Sequence, residues 1–187
     1  MKATRWLAAL VTCGMAITLA QAAPKVDGKV SAGEYAKILK HEKSGITLSW
    51  SIVGNTIYIA IQAENEGWVG LGMMTAKDDK KKGADSYLFT MEDGKLVAMD
   101  MIQVKRTGRP VLDEDEGGKN SILASAATQN GKAWTIEFSR KLNTGDKADM
   151  DIAAGKKFFL MLALGPEMSW KEEHKKTMRW YVEDFAF

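Results

Sequence analysis

The chain has 187 residues, 45% of them hydrophobic and 27% charged, which is the balance of an ordinary folded protein with material for one sizeable core. That balance excludes a disordered chain, and a single cysteine, Cys13, excludes a disulfide-stapled one. The formal net charge of +2 falls to near zero once Lys2 and Arg5 are set aside with the leader, so no bulk attraction to nucleic acid or anionic lipid is implied.

Lys2 and Arg5 precede an apolar run over residues 6–19 that ends in Ala20-Gln21-Ala22, the pattern of a secretory signal peptide cleaved after Ala22. A lipoprotein signal at Cys13 ranks second, because Leu10-Val11-Thr12-Cys13 leaves a very short apolar core and puts threonine before the cysteine. A retained anchor ranks third, since the run is short of the roughly 20 residues a bilayer span requires. The expectation is a periplasmic or secreted protein with one mature domain over residues 23–187. Its mature part lacks cysteine, and therefore a disulfide, a thiolate nucleophile, a cysteine-bound metal and a thioether-linked haem.

Ser31 stands as a cap ahead of residues 32–39, which read as a short helix, and residues 169–176 read as a second one. From Gly45 onwards period-two alternation dominates, the sign of antiparallel strands. Gly54-Asn55 separates strands over 46–52 and 57–61, Asp93-Gly94 separates 87–89 from 96–99, and Asn130-Gly131 separates 122–128 from 134–138. Further strands are expected over 68–74, 158–164 and 178–182. The fold class is therefore all-β: an antiparallel sandwich or barrel, with minor helix.

Two long connections, 75–83 and 105–120, carry most of the unusual residues. The run Lys77-Asp78-Asp79-Lys80-Lys81-Lys82 reads as a solvated loop. Asp113-Glu114-Asp115-Glu116-Gly117-Gly118 offers carboxylates for calcium, but it lacks the alternating spacing and distal glutamate of a known calcium loop and reads as a solvated turn. Asp85, after Gly83-Ala84, reads as a loop-fixing residue. Met91, Met99, Met101 and Met161 fall in strands as adaptable core filler, and Trp50, Trp68, Trp134 and Trp180 as core anchors. The exception is Trp170, in a polar loop beside His174. No nucleophile elbow, paired-histidine metal motif or phosphate-cradling loop is present, so the chain is not expected to be an enzyme by itself, though it is compatible with a subunit of a redox complex.

Several segments occur in order: Asp27-Gly28-Lys29-Val30 with Gly33-Glu34-Tyr35, Gly67-Trp68-Val69-Gly70-Leu71-Gly72, Gly83-Ala84-Asp85, residues 113–118, residues 136–142 with Thr144-Gly145-Asp146, and a late His174 after Ala163-Leu164-Gly165. In that order they resemble the DOMON family. The resemblance implies an immunoglobulin-like antiparallel β-sandwich of about nine to eleven strands that binds b-type haem or a sugar. It also implies iron ligation by a methionine, in a Met-x-Gly-Ala-Asp motif, and by a histidine after the penultimate strand. His174 stands at the histidine position, and Lys81 occupies the place of the methionine. Relatives that serve as the haem subunit of some molybdenum dehydrogenases use lysine with methionine, so a neutral Lys81 amine is one route to the second ligand. A nearby thioether is the other: Met73 or Met74, at the end of the strand feeding the same loop, or Met168 or Met178, which flank the histidine.

A histidine in the charged string of residues 171–176 is ordinarily solvated, and so is a loop lysine. The leading expectation is nonetheless an exported domain that binds b-type haem through His174 with Lys81, Met74 or Met73, with Trp170 at the mouth of the pocket. It would exchange electrons with a redox partner protein or a membrane-associated electron-transfer complex. The alternative is a non-redox module of the same fold that takes a sugar or other small ligand on its tryptophans. A third class is a structural partner of a larger exported complex.

Overall fold

The computed structural model describes residues 22–75, 81–153 and 155–187, so the expected leader, Cys13 and most of the 77–82 charge run lie outside the described residues. In chain order the strands are β1 (Lys37–His41), β2 (Ile46–Val53), β3 (Thr56–Glu64), β4 (Val69–Met74), β5 (Asp85–Glu92), β6 (Lys95–Ile102), β7 (Val111–Leu112), β8 (Ala124–Asn130), β9 (Ala133–Lys141), β10 (Phe158–Leu164) and β11 (Arg179–Phe185). They form two antiparallel sheets, a five-stranded one in the order β1-β2-β3-β9-β8 and a six-stranded one in the order β11-β10-β4-β5-β6-β7. The protein is a β-sandwich, one of the two architectures the alternation left open.

Between the sheets lies the core. Ile46, Leu48 and Trp50 of β2, Ile57, Ile59 and Ile61 of β3, and Trp134, Ile136 and Phe138 of β9 face Val69, Leu71 and Met73 of β4, Tyr87 and Phe89 of β5, and the even-numbered residues 158–164 of β10. The Phe138 ring centroid is 4.9 Å from that of Tyr87 and 5.0 Å from that of Phe89, which stitches the two sheets together at their centre. Each such side chain contributes about 1.5–3 kcal/mol by leaving water.

The three hairpins form where Asn-Gly, Asp-Gly and Gly-Asn stand. Asp93 and Gly94 both take positive φ, 50° and 73°, the mirror-image turn that matches strand twist. At the other two hairpins glycine leads the turn: Gly54 has φ 61° and Gly131 φ 60°, and Asn130 still pairs with Ala133 as the last residue of β8. The Asn130-Gly131 turn thus lies one residue later than its sequence signal.

Both expected helices are absent. Residues 32–39 make a turn and then edge strand β1: Gly33 takes φ 77°, and the Glu34 carboxylate accepts from the Ser31 N–H at 2.7 Å, so the capping contact closes a turn and not a helix. Residues 169–176 form an irregular loop with a single 3-10 turn at Lys176–Met178, because side chains from elsewhere take its carbonyls.

The amino-terminal segment covers the outer face of the five-stranded sheet through one buried carboxylate. Glu137 Oε2 accepts from the backbone N–H groups of Asp27, Gly28 and Lys29 at 3.0, 2.7 and 3.1 Å, while Oε1 accepts from the Tyr35 hydroxyl at 2.7 Å. Glu137 is fully buried, and this knot explains why Asp27-Gly28-Lys29, Glu34-Tyr35 and Ile136-Glu137-Phe138 occur together. Among the described residues no helix is long and apolar enough to cross a membrane.

Candidate functional site

The outer face of the six-stranded sheet carries a second, smaller apolar cluster of Trp68, Leu88, Met99, Met101 and Ala163. Alternation puts it there: in β4, Val69, Leu71 and Met73 point into the core, so Gly70, Gly72 and Met74 point out. In β10 the same rule turns Met161 and Ala163 outward, and in β11 Arg179 and Tyr181. Over this face fold residues 103–110 and the 165–178 loop, enclosing a cavity of about 480 Å³. That volume is in the range of sites for small molecules and cofactors.

The floor is formed by glycine. A methyl group on Gly70 would stand 3.1 Å from the Trp68 ring, and one on Gly72 would stand 2.8 Å from Met161 Cε and 3.2 Å from Ser86 Oγ. Gly70 and Gly72 thus let the Trp68 ring and the Met161 side chain pack directly against β4 on this face.

Trp68 fixes the wall. Its indole N–H donates to the Glu172 carbonyl at 3.0 Å, and its ring lies so close to Gly165 that a methyl there would come within 2.3 Å. Arg109 donates to the Lys171 carbonyl and sits 5.7 Å from the Trp170 ring centroid, tying the 103–110 segment to the same loop. Thus held, His174 lies edge-on to Trp68 at 6.3 Å between ring centroids, with Nδ1 3.2 Å from the Lys175 carbonyl. An Nδ1–H donated there leaves the Nε2 lone pair for a metal.

Lys81 also lines the cavity, and its carbonyl accepts from the Ala84 N–H at 2.9 Å in a turn where Gly83 has φ 78°. Burial, and then the neighbouring Arg179, push the Lys81 ammonium below its ordinary pKa. Burial, and then Lys81, push the His174 imidazole below its own. Both shifts favour the neutral, metal-binding forms. Arg106, Arg109, Lys176 and Arg179 against Glu172 and Glu173 leave the cavity wall net positive, which suits an anionic ligand.

The DOMON domain family model matches residues 42–165, more than half of the chain. This chain belongs to the DOMON family. No curated protein sequence matches it. Its fold is similar to that of the cytochrome b domain of pyranose dehydrogenase from Coprinopsis cinerea, with a TM-score of 0.54 at 6% identity, covering 78% of this chain and 80% of that one. The cytochrome domain of Myriococcum thermophilum cellobiose dehydrogenase aligns at a TM-score of 0.49 and 10% identity, covering 81% of this chain and 90% of that one.

Of the residues singled out in this DOMON sequence, the structure brings His174, Lys81, Met74 and Trp170 to one cavity. Met73 is not there: it is fully buried between the sheets, since adjacent strand residues point to opposite faces. Met161, read as core filler, lines the cavity, and the signal was available in its odd position among the inward Phe158, Leu160 and Leu162. Trp68, also read as a core anchor, belongs to the outer cluster. Asp113, read as solvated, is buried with 1% exposure at the start of a 3-10 turn over Asp113–Glu116.

Proposed function

We propose that this DOMON domain binds b-type haem in the cavity on the outer face of its six-stranded sheet and passes single electrons. The supporting observation is that His174, Lys81 and three thioethers, Met74, Met101 and Met161, line one cavity inside a net positive wall. The donor set fits such a group: a neutral imidazole oriented through Nδ1, and either an amine whose proton is weakly held or a thioether. Basic residues at the mouth, Arg109 and Arg179 among them, suit two carboxylate side arms of a porphyrin.

When bound, the haem would supply one-electron chemistry at a potential set by the second ligand, higher with a thioether and lower with a second nitrogen. The protein's part is to hold the imidazole by the Trp68–Glu172 contact, to keep water from most of the site, and to leave an edge for an exported or membrane-associated redox partner. Export after Ala22 belongs to this proposal.

The test is the visible spectrum of protein purified from its export compartment, oxidised and then reduced, with a pyridine haemochrome assay. A sharp Soret band with resolved reduced α and β bands is expected. His174→Ala should lose the low-spin spectrum, whereas Lys81→Ala and Met74→Leu should separate the two routes to the second ligand. A colourless protein that also refuses added haemin would overturn the proposal and redirect ligand screening to sugars.

A further inference from the structure

Below the Lys81 turn, inside the sandwich, three aspartates converge from three segments: Asp85 at the start of β5, Asp100 in β6, and Asp149 in the connection from β9 to β10. A fourth, Asp113 in the 3-10 turn after β7, is buried near them. One carboxylate oxygen of each of Asp85, Asp100 and Asp149 lies within 4.8 Å of the other two. Oxygen ligands about 2.4 Å from one cation are at most about 4.8 Å apart, so the three can share an ion.

Their hydrogen bonds divide each carboxylate into a held oxygen and a bare one. Asp85 Oδ2 accepts from Arg140 Nη1 and from the Met150 N–H, both at 2.8 Å. Asp100 Oδ2 accepts from the Ser121 N–H at 2.8 Å, and Asp149 Oδ2 from the Ser121 hydroxyl at 2.6 Å. Among the described residues the Oδ1 atoms of all three are buried without a partner.

Asp113 adds an independent observation. It is 1% exposed, and neither of its oxygens has a partner among the described residues. Asp85, Asp149 and Asp146 all act on it electrostatically, so it lies near the other three without joining the set within 4.8 Å. These four residues together hold five buried oxygens without a hydrogen-bond partner among the described residues.

Charge does not balance there. Arg140, itself fully buried, is 2.8 Å from Asp85 and 4.0 Å from Asp149, and it is the one cation within ion-pair distance of these residues among those described. Four carboxylates against one guanidinium leave an excess of three negative charges, and uncompensated buried charge is costly. We infer that Asp85, Asp100 and Asp149 form a binding site for a divalent cation of the calcium class, with the buried Asp113 carboxylate adding negative charge beside it. All the donors are hard oxygens, which disfavours zinc and copper, and carboxylates that can each offer one or two oxygens suit the flexible shell of calcium better than the rigid, water-keeping octahedron of magnesium.

The site would join β5, β6 and the β9–β10 connection, and its first residue follows directly on the Gly83-Ala84 end of the Lys81 turn. The experiment is calorimetric titration of chelator-treated full mature protein with calcium chloride, alongside thermal unfolding. One calcium per chain and a Tm raised by several degrees at millimolar calcium are expected. Asp100→Asn should stay folded, since its side-chain oxygen can still accept from the Ser121 N–H while a buried charge is removed, and should weaken calcium binding about tenfold or more. A folded wild-type chain that shows neither heat nor a Tm shift at millimolar calcium, unchanged affinity in a folded Asp100→Asn, or a preference for magnesium would each overturn the assignment.

Discussion

Single carboxylates decide much in this molecule, and Glu137 shows how. One buried side chain satisfies three backbone N–H groups and the Tyr35 hydroxyl, so it serves as the fastening of residues 27–35 to the outer face of the five-stranded sheet. Glu137→Ala strands all four donors together, and at about 1–3 kcal/mol for each unsatisfied buried group, partly relieved by water, the expected loss is about 3 kcal/mol or more, measured by urea unfolding. Glu137→Gln keeps the shape but loses the charge and should fall between. A different residue-scale test belongs to the cavity floor. Gly72→Val points a side chain at Met161 and Ser86 while leaving the inner face of β4 untouched. Haem uptake should drop by about tenfold while unfolding free energy changes by about 1 kcal/mol or less.

Elements show where the sequence was legible. Alternation over β2, β3, β9 and β10 was readable because each strand buries one whole face, and a one-residue slip would expose it. Lys37–His41 was not, since this edge strand has only His41 and Leu39 partly covered and its polar run looks like a helix start. The 165–178 loop was misread for a related reason: its carbonyls are claimed from outside, by Trp68 and Arg109, and such distant partners leave no local signature. His174 and Lys81 were visible only through family order, Met74 through its position next to the loop, and Met161 through a parity that needed a strand register to interpret. At this scale Trp68→Phe is informative. It keeps the aromatic wall but removes the donor to Glu172, so the loop loosens around His174. The expected result is faster haemin release with little change in the bound spectrum, followed by transfer to an acceptor globin.

For the whole molecule the aspartate cluster sets how stability responds to pH. Asp85, Asp100 and Asp113 have carboxyl groups pushed up to about 6, 8 and 7, in each case by burial first. The groups facing them are Arg140 from β9, Asp146 and Asp149 from the following connection, Glu114 from the 3-10 turn and Tyr87 from β5. A carboxyl whose pKa is higher folded than unfolded stabilises the fold while it stays protonated in the folded state. That contribution is complete below about pH 4 and is lost as pH rises through the folded values. His174, shifted below its ordinary value, acts in the opposite sense in acid, so the clean window lies above about pH 6.5. Chelator-treated protein should therefore lose Tm between about pH 6.5 and pH 8.5, where an ordinary domain is nearly flat. Calcium binds the ionised carboxylates, so it should raise Tm more at the alkaline end and flatten the profile. A chelated chain whose Tm is constant across this window would mean that the four aspartates are already ionised and compensated by the fold alone.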